Sequence, residues 1–271
     1  MRVMVNGLPG KMATEVANLI LRSNNFQLET VALTGPDTEQ ESADLNSLKV
    51  KLFKPDQREK VINGIGHTSG NIFVVDYTHP NAVNSNAKFY CEHELPFVMG
   101  TTGGDRELLK KTVENSKISA VIAPNMASEI VAFQAMMEYA AETFPDLFKG
   151  FDLRITESHQ QGKVDTSGTA KAMVGYFNKL GITFNKDEIR MIRIPKMQLA
   201  MGIPKEYIGG HGWHTYKLSR QDKTMFFKFV HNVNGRKPYA MGTLKALVFL
   251  EKQIRADKKG VAFSMIDVLK G

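Results

Sequence analysis

The sequence has little cysteine and no long hydrophobic run. Cys91 is the one cysteine in 271 residues, which excludes an internal disulfide, and no cluster of cysteine and histidine surrounds it that would form a structural zinc site. No apolar run approaches the roughly 18 to 20 residues that span a bilayer, and the first residues lack the apolar core of a signal peptide. We therefore predict an intracellular protein that binds no membrane.

The positive charge of the chain is not concentrated anywhere. Lysine and arginine number 35 against 28 aspartates and glutamates, which gives a formal net charge of +7. The basic residues form no run of five or more, and no zinc-finger or aromatic RNA-binding pattern accompanies them. This distribution disfavours nucleic acid as a partner. Small anionic ligands, such as a phosphorylated cofactor and a dicarboxylate, suit the charge better.

The first half of the chain alternates short apolar runs with amphipathic stretches. Residues 2–6 predict a buried strand, and the turn GLPGKM opens a helix with apolar positions at Val16, Ile20 and Leu21. Further strands are predicted at residues 28–34, 71–78, 96–102 and 119–125. Continuous runs of valine, isoleucine and phenylalanine between helices are typical of a parallel sheet covered on both faces. The fold class is therefore α/β, with a doubly wound, Rossmann-type first domain.

The pattern changes after a helix predicted at residues 127–143. Residues 151–159, FDLRITESH, alternate between apolar and polar side chains. Residues 212–220 and 224–232 also alternate, and the short polar segment between them predicts an antiparallel hairpin. These features predict a second, α+β domain that contains an open mixed sheet.

The domain prediction has three segments. Residues 1–126 form a dinucleotide-binding domain, residues 127–238 form a substrate-binding and oligomerisation domain, and residues 239–271 return to the first domain. Open sheets often pack against a partner, so we expect a homo-oligomer, either a dimer or a tetramer.

A glycine turn follows the first predicted strand. Gly7, Gly10 and Ala13 have the spacing of a dinucleotide-binding fingerprint. The glycines permit a tight turn, and the amides at the helix start can hold a pyrophosphate. Turns of this type also bind other ligands in α/β folds, so the spacing alone leaves both interpretations open.

The end of the second predicted strand indicates which cofactor is bound. Leu33, Thr34 and Gly35 stand where a NAD site usually has an acidic residue, so no carboxylate there repels a 2′-phosphate. Lys11 can approach such a phosphate or can simply be solvated, and Asp37 could instead fold back onto a ribose. The balance favours NADPH, with NADH possible.

Two later turns also follow parallel strands. They are GTTGG at residues 100–104 and APNMA at residues 123–127. Ligands of doubly wound sheets bind beyond the carboxyl ends of the strands, where these turns can line the nicotinamide half of the crevice. The alternative is that both are ordinary turns.

The segment ESHQQGKVDTSGTA, residues 157–170, combines three chemical functions. In the alternating strand that leads into it, His159 falls on the apolar side. Lys163 follows, and Thr166 or Ser167 is expected to cap a helix whose amides can bind a carboxylate. A proton donor, a cation and an anion cradle suit the reduction of an anionic unsaturated substrate. Taken singly, each has a structural alternative, namely a packed histidine, a solvated lysine and an ordinary cap.

A pair of histidines, His211 and His214, occurs in HGWH, residues 211–214. On an extended strand, residues three apart point to opposite faces, so the pair cannot share a metal ion. We therefore predict no metal site.

The motifs together resemble those of a known family. They are VNGLPGKM at residues 5–12, GTTGGDR at 100–106, ESHQQGKVDTSGTAK at 157–171, HNVNGR at 231–236 and MIDVLKG at 265–271. With these marks over nearly its whole length, the chain resembles the dihydrodipicolinate reductases of lysine biosynthesis, most closely their plant-type branch.

The resemblance implies NAD(P)H-dependent reduction of 4-hydroxy-tetrahydrodipicolinate to tetrahydrodipicolinate in the diaminopimelate route. It implies that His159 is the general acid and that Lys163 is the electrostatic and substrate-carboxylate partner. The cradle for the substrate carboxylate maps to Ser167, Gly168 and Thr169. The cofactor contacts map to Gly7, Leu8, Gly10, Lys11, Met12, Thr34, Gly100, Thr101, Thr102, Pro124, Asn125 and Met126. The expected compartment is the cytoplasm, or the plastid stroma for a mature plant or algal protein.

The sequence departs from the family pattern in the catalytic segment. Gln160 stands where many bacterial members have a second histidine, and the string DTSGTA lacks their proline. One histidine is therefore expected to act. Two other functions stay open, a different two-domain NADPH reductase of the homoserine dehydrogenase kind and a non-catalytic NADPH-binding homologue.

Overall fold

The structure is a computed structural model, and it describes residues 1–46, 48–65 and 72–271, with the backbone alone described for residues 63–65. Contacts between Cα atoms divide the chain into two compact units. The first unit consists of Met1–Ser128 and Lys237–Gly271, and the second of Glu129–Arg236.

The elements of the described chain follow one another in a mostly alternating order. The first are β1 Arg2–Asn6, α1 Lys11–Leu21, β2 Gln27–Leu28, β3 Val31–Leu33, β4 Ser42–Leu45, β5 Leu48–Phe53, α2 Arg58–Ile65, β6 Ile72–Asp76, α3 Val83–Glu92, β7 Phe97–Met99, α4 Arg106–Glu114 and β8 Ala120–Ile122. The remainder are α5 Ser128–Thr143, β9 Phe151–His159, α6 Gly168–Lys179, β10 Arg190–Ile192, α7 Pro195–Ala200, β11 His211–Arg220, β12 Phe226–Asn234, α8 Lys237–Arg255, β13 Ala262–Phe263 and α9 Met265–Lys270.

A parallel sheet forms the centre of the first unit. Its six strands lie in the order β13, β8, β7, β6, β1, β2, and every pairing is parallel. All five residues of β6 are buried, as expected for a strand covered on both faces. Because the strands are parallel, the turns after β1, β6, β7 and β8 leave from the same edge of the sheet. The expectation of a Rossmann-type α/β fold is confirmed.

The strand predicted at residues 28–34 is wrong as a single element. The structure has β2, which pairs with β1, and β3, which pairs with β5 in a separate three-stranded sheet. The chain changes partners at its middle, since the Glu29 amide donates to Val3 while the Thr30 carbonyl accepts from Lys51. The sequence analysis also missed β4 and β5, whose short polar and apolar alternation belongs to an accessory sheet. The predicted strand start at Asn71 lies outside the described residues.

The second unit contains a mixed sheet. Its strands lie in the order β10, β9, β11, β12, with β10 parallel to β9 and the other pairs antiparallel. The expected hairpin is present as β11 and β12, in which His214 lies opposite His231. Helix α6 packs on the apolar face through Met173 and Phe177, which touch a core that includes Ile155. The prediction of an α+β unit with an open mixed sheet is confirmed.

Within the described parts of the chain, no helix combines the length and the hydropathy needed to cross a membrane.

Candidate functional site

The glycine turn after β1 can be built only with glycine at two places. Gly7 has a φ of +99°, and a Cβ atom on it would lie 2.2 Å from the Tyr77 carbonyl oxygen. A Cβ atom on Gly10 would lie 2.7 Å from the Gly7 carbonyl oxygen. The turn therefore runs against Tyr77 and leads directly into α1, whose first amides have no acceptor inside the helix. Such a helix start favours an anion.

A cavity of about 310 Å³ opens beside this turn. Four of the predicted cofactor residues line it, namely Gly7, Leu8, Gly10 and Thr34, whereas Lys11 and Met12 do not. No aspartate or glutamate is among the described residues that line it. Arg58 does line it, with its guanidinium carbon 4.5 Å from the centre of the Phe89 ring.

The other predicted cofactor residues lie in the turns after β7 and β8. Gly100 faces the ring of Tyr77, since a Cβ atom on it would lie 2.4 Å from that ring, and Thr102 is exposed. After β8, Pro124 is exposed, and Met126 is buried. The Asn125 side chain accepts a hydrogen bond from the Ala127 amide. The three turns share the carboxyl edge of the parallel sheet, but these two do not line the cavity beside Gly7.

A buried carboxylate, Asp76, holds the turns at this edge. Its Oδ2 atom accepts from the Tyr90 hydroxyl at 2.7 Å and from Asn86 at 3.0 Å. Its Oδ1 atom accepts from the Thr101 hydroxyl at 2.7 Å and from the hydroxyl and the amide of Thr78 at 2.8 and 3.0 Å. The Thr101 hydroxyl is therefore engaged in a structural hydrogen bond. The described donors to Asp76 are all neutral groups.

A second buried carboxylate, Glu157, lies in the other unit. It is fully buried near the end of β9, where its Oε2 atom accepts from Nδ1 of His159 at 2.5 Å. Arg193 approaches it with two nitrogens, Nη2 to Oε1 at 2.6 Å and Nη1 to Oε2 at 3.0 Å. Burial alone would raise the pKa of Glu157, but the hydrogen bonds and charges of His159 and Arg193 lower it to about 2. Glu157 is therefore ionised, and Nδ1 of His159 is committed to it.

The other two predicted functions lie just after His159. Lys163 donates to the exposed Asp165 at 2.6 Å. Of the two proposed caps, Ser167 is the N-cap of α6, and its hydroxyl accepts from the Ala170 amide. The amides of Gly168 and Thr169 have no acceptor among the described residues, as is usual at a helix start.

Two stacked histidine rings lie next to the cap. The Nε2 atom of His214 lies 2.8 Å from the Ser167 hydroxyl, and the ring of His214 stacks on that of His231 at 4.5 Å. Burial lowers the pKa of His214 well below its ordinary value, and it lowers the pKa of His231 to about 4. Both rings are therefore neutral at neutral pH. His211 has a different partner, the Ser158 hydroxyl. Burial lowers the pKa of His211 as well.

No group of three or more histidine, cysteine, aspartate or glutamate side chains in the described chain could hold a metal ion.

The sequence analysis missed several polar residues of this site. Glu157 carried a signal, because a carboxylate at an inward position of an alternating strand must find partners. Arg193, Gln198 and His214 carried none, because each comes from a distant part of the chain. Gln198 donates from Nε2 to the His159 carbonyl oxygen at 2.7 Å. Arg58 was missed for the same reason.

Comparisons with known proteins cover both units. Two family models match, "Dihydrodipicolinate reductase, N-terminus" at residues 1–126 and "Dihydrodipicolinate reductase, C-terminus" at residues 129–269. The chain is 44% identical over 271 residues to 4-hydroxy-tetrahydrodipicolinate reductase 2, chloroplastic, of Arabidopsis thaliana, which covers 99% of this chain and 77% of the relative. It is 43% identical over 269 residues to the probable reductase 2, chloroplastic, of Oryza sativa subsp. japonica, covering 99% of this chain and 82% of the relative.

A solved structure shares the fold. It is the dipicolinate-bound dihydrodipicolinate reductase from Paenisporosarcina sp. TG-14, with a TM-score of 0.65, 19% identity and 97% coverage of each chain. At that identity the likeness supports the fold alone.

Proposed function

The chain belongs to the dihydrodipicolinate reductase family, and from that premise we propose that it reduces 4-hydroxy-tetrahydrodipicolinate to tetrahydrodipicolinate in the diaminopimelate route of lysine biosynthesis. It is an oxidoreductase that uses a nicotinamide cofactor. The observation that carries the assignment of the site is the hydrogen bond of His159 to the buried Glu157, next to Lys163 and the start of α6. The family match over residues 129–269 disfavours a reductase of the homoserine dehydrogenase kind.

The first unit is proposed as the dinucleotide-binding domain. The glycine turn fits a pyrophosphate, because it leads directly into α1, whose first amides have no acceptor inside the helix and no side-chain cap. The turns at residues 100–102 and 124–126 are proposed to hold the nicotinamide end. When bound, the cofactor supplies a hydride to the ring of the substrate.

NADPH is proposed as the preferred cofactor, with NADH as the weaker one. Arg58 lines the cavity beside the glycine turn, and the described residues that line it include no carboxylate. A cation suits a 2′-phosphate, which an acidic residue would repel. Arg58 takes over the role that the sequence analysis gave to Lys11. In a binding titration with 2′,5′-ADP and 5′-ADP, Arg58→Gln should weaken the first ligand alone, whereas equal weakening of both would remove this role.

The second unit is proposed as the substrate-binding and oligomerisation domain. Nδ1 of His159 bonds to Glu157, so the proton that His159 delivers as general acid is the one on Nε2. Glu157 then stabilises the imidazolium form before the transfer. The cradle at Ser167, Gly168 and Thr169 binds one carboxylate through the amides of the helix start.

Lys163 is proposed to bind a substrate carboxylate and to stabilise developing negative charge. Its partner Asp165 is an exposed side chain, with a relative exposure of 72% against 23% for Lys163. Exposed ion pairs contribute little stability, so a substrate carboxylate can replace Asp165 at small cost.

The proposed activity is tested by following NADPH absorbance with purified dihydrodipicolinate synthase, pyruvate and aspartate semialdehyde. Oxidation that requires the synthase is the expected result. NADPH binding without oxidation would support a non-catalytic homologue, and oxidation without the synthase would require another substrate.

Assembly and compartment complete the proposal. A homo-oligomer, dimer or tetramer, is proposed from the open sheet of the second unit, and light scattering measures it. The cytoplasm was the first expectation for the compartment, and the names of the rice and Arabidopsis relatives favour the plastid stroma instead. Imaging of a tagged chain in its own cells distinguishes the two.

A further inference from the structure

Arg193 lies where the parts of the proposed catalytic segment converge. It directly follows β10, which runs parallel to β9 with Ile192 opposite Ser158. This register brings the Arg193 side chain beside Glu157. Glu157 and His159 both belong to β9. The pairing of β10 with β9 therefore sets the position of the guanidinium.

The guanidinium of Arg193 uses all five of its N–H donors. Two bonds go to the two oxygens of Glu157, at 2.6 and 3.0 Å, which is the bidentate geometry that arginine forms with a carboxylate. Three bonds go to backbone carbonyls, from Nε to Lys163 at 2.8 Å, from Nη2 to Asp165 at 3.3 Å and from Nη1 to Ile192 at 3.1 Å. A lysine could not make this set, because its ammonium is a single point charge.

The two sets of bonds have different consequences. The pair with Glu157 keeps that buried carboxylate ionised, and an ionised Glu157 holds the proton of His159 on Nδ1. The bonds to the carbonyls of Lys163 and Asp165 fix the backbone from which the Lys163 side chain extends. One side chain thus orients the proposed acid and anchors the proposed cation.

We propose that Arg193 is the positioning residue of this site, which fixes the tautomer of His159 through Glu157 and the location of Lys163 through its backbone. The proposal rests on the proposed function for the roles of His159 and Lys163. The bonds themselves do not depend on it, and this separates the two tests.

The first test measures the tautomer without turnover. In ¹⁵N spectra of the imidazole rings, neutral His159 in the wild type should carry its proton on Nδ1, and a His159→Asn variant assigns the signal. In Arg193→Lys the signal should shift towards the Nε2-protonated form. An unchanged His159 signal in a folded Arg193→Lys protein would overturn the proposal, whether or not the wild type turns over substrate.

The second test measures kinetics. A misplaced catalytic group costs about a hundredfold in rate, so Arg193→Ala should lower kcat/KM by about that factor and leave NADPH affinity unchanged. Methylguanidinium added to Arg193→Ala should restore part of the lost rate. The Arg193→Lys variant should be almost as slow as Arg193→Ala. Arg190→Ala is the matched control, because Arg190 is exposed at the start of β10, the strand that Arg193 follows. Its rate should equal that of the wild type.

The outcomes separate the two claims. A wild type without turnover refutes the proposed function and leaves the tautomer measurement to decide on Arg193. A wild type with turnover and Arg193 variants within about threefold of it in kcat/KM refutes the positioning role. If Arg193→Ala does not fold, Glu157→Gln takes its place, because it keeps the size of the side chain and removes the charge. It should show the same tautomer shift, and an unchanged His159 signal would again overturn the proposal.

Discussion

The two units each bury a carboxylate, and the two carboxylates are satisfied in different ways. Asp76 accepts from neutral groups only, the hydroxyls of Thr78, Thr101 and Tyr90, an amide side chain and a backbone amide. Glu157 accepts from the charged Arg193 and from His159, which can carry a charge. Neutral donors fix turns without moving protons. Charged donors keep a carboxylate ionised beside an imidazole, which is the arrangement that proton transfer needs.

The largest effect is expected from a change in the Glu157 network, at His159. His159→Asn should lower kcat by about a thousandfold, which is about 4 kcal/mol, because it removes the proposed proton donor. NADPH affinity, measured by fluorescence titration, should stay within about twofold of the wild type. Gln161→Ala, an exposed neighbour, is the control and should keep full activity. Full activity of His159→Asn would remove the general acid from the second unit.

The next largest effect is expected from a change in the Asp76 network. Asp76→Asn should lower the free energy of unfolding by about 2 to 4 kcal/mol, because an amide would oppose some of the donors that now bond to Asp76. Urea unfolding measures the change, with the exposed Asp44→Asn of β4 as control. A loss no larger than that of the control would mean that the Asp76 network does not hold the turns.

A smaller effect concerns pH. Burial lowers the pKa of His231 to about 4. Between pH 6.5 and 4 the unfolded chain therefore binds a proton that the folded chain does not, so the free energy of unfolding decreases as the pH is lowered through this range. His231→Gln should reduce the loss of unfolding free energy between pH 7 and 5 by about 1 to 2 kcal/mol. Lys228→Gln, an exposed position on the same strand, is the control and should behave as the wild type. A pH dependence in His231→Gln identical to that of the wild type would contradict the lowered pKa of His231.

Below that range of pH, the charged arrangement should make its own contribution. The pKa of Glu157 is lowered to about 2, so its contribution to stability is present above pH 4.5 and is lost as the pH falls towards 2.

The smallest expected effect tests the exposed ion pair. Asp165→Asn frees Lys163 for the substrate, and an exposed pair is worth at most about 1 kcal/mol, so KM should fall by up to about fivefold. Steady-state kinetics measures it. A raised KM would show that Asp165 organises Lys163 instead of competing for it.

The sequence predicted local features well and distant partnerships poorly. The Rossmann-type sheet, the hairpin and the Ser167 cap follow from periodicity and capping preference within short windows. The break between β2 and β3 did not follow, because it depends on which strand lies alongside each half. The same limit hid Arg193 and His214, which reach the proposed catalytic segment from distant positions in the chain.

The glycines illustrate a further limit. Their spacing predicted a turn, but the strict need for glycine at Gly7 and Gly100 comes from the backbone and ring of Tyr77. The sequence analysis had no reason to place Tyr77 against both.

The most direct test of the account follows the hydride itself. The reaction is run with NADPH that carries deuterium at both C4 positions of the nicotinamide, with substrate generated by dihydrodipicolinate synthase, and the tetrahydrodipicolinate is analysed by mass spectrometry. The account predicts a product heavier by one deuterium than the product formed with unlabelled NADPH. A product without deuterium, or NADPH consumption without this product, would contradict it.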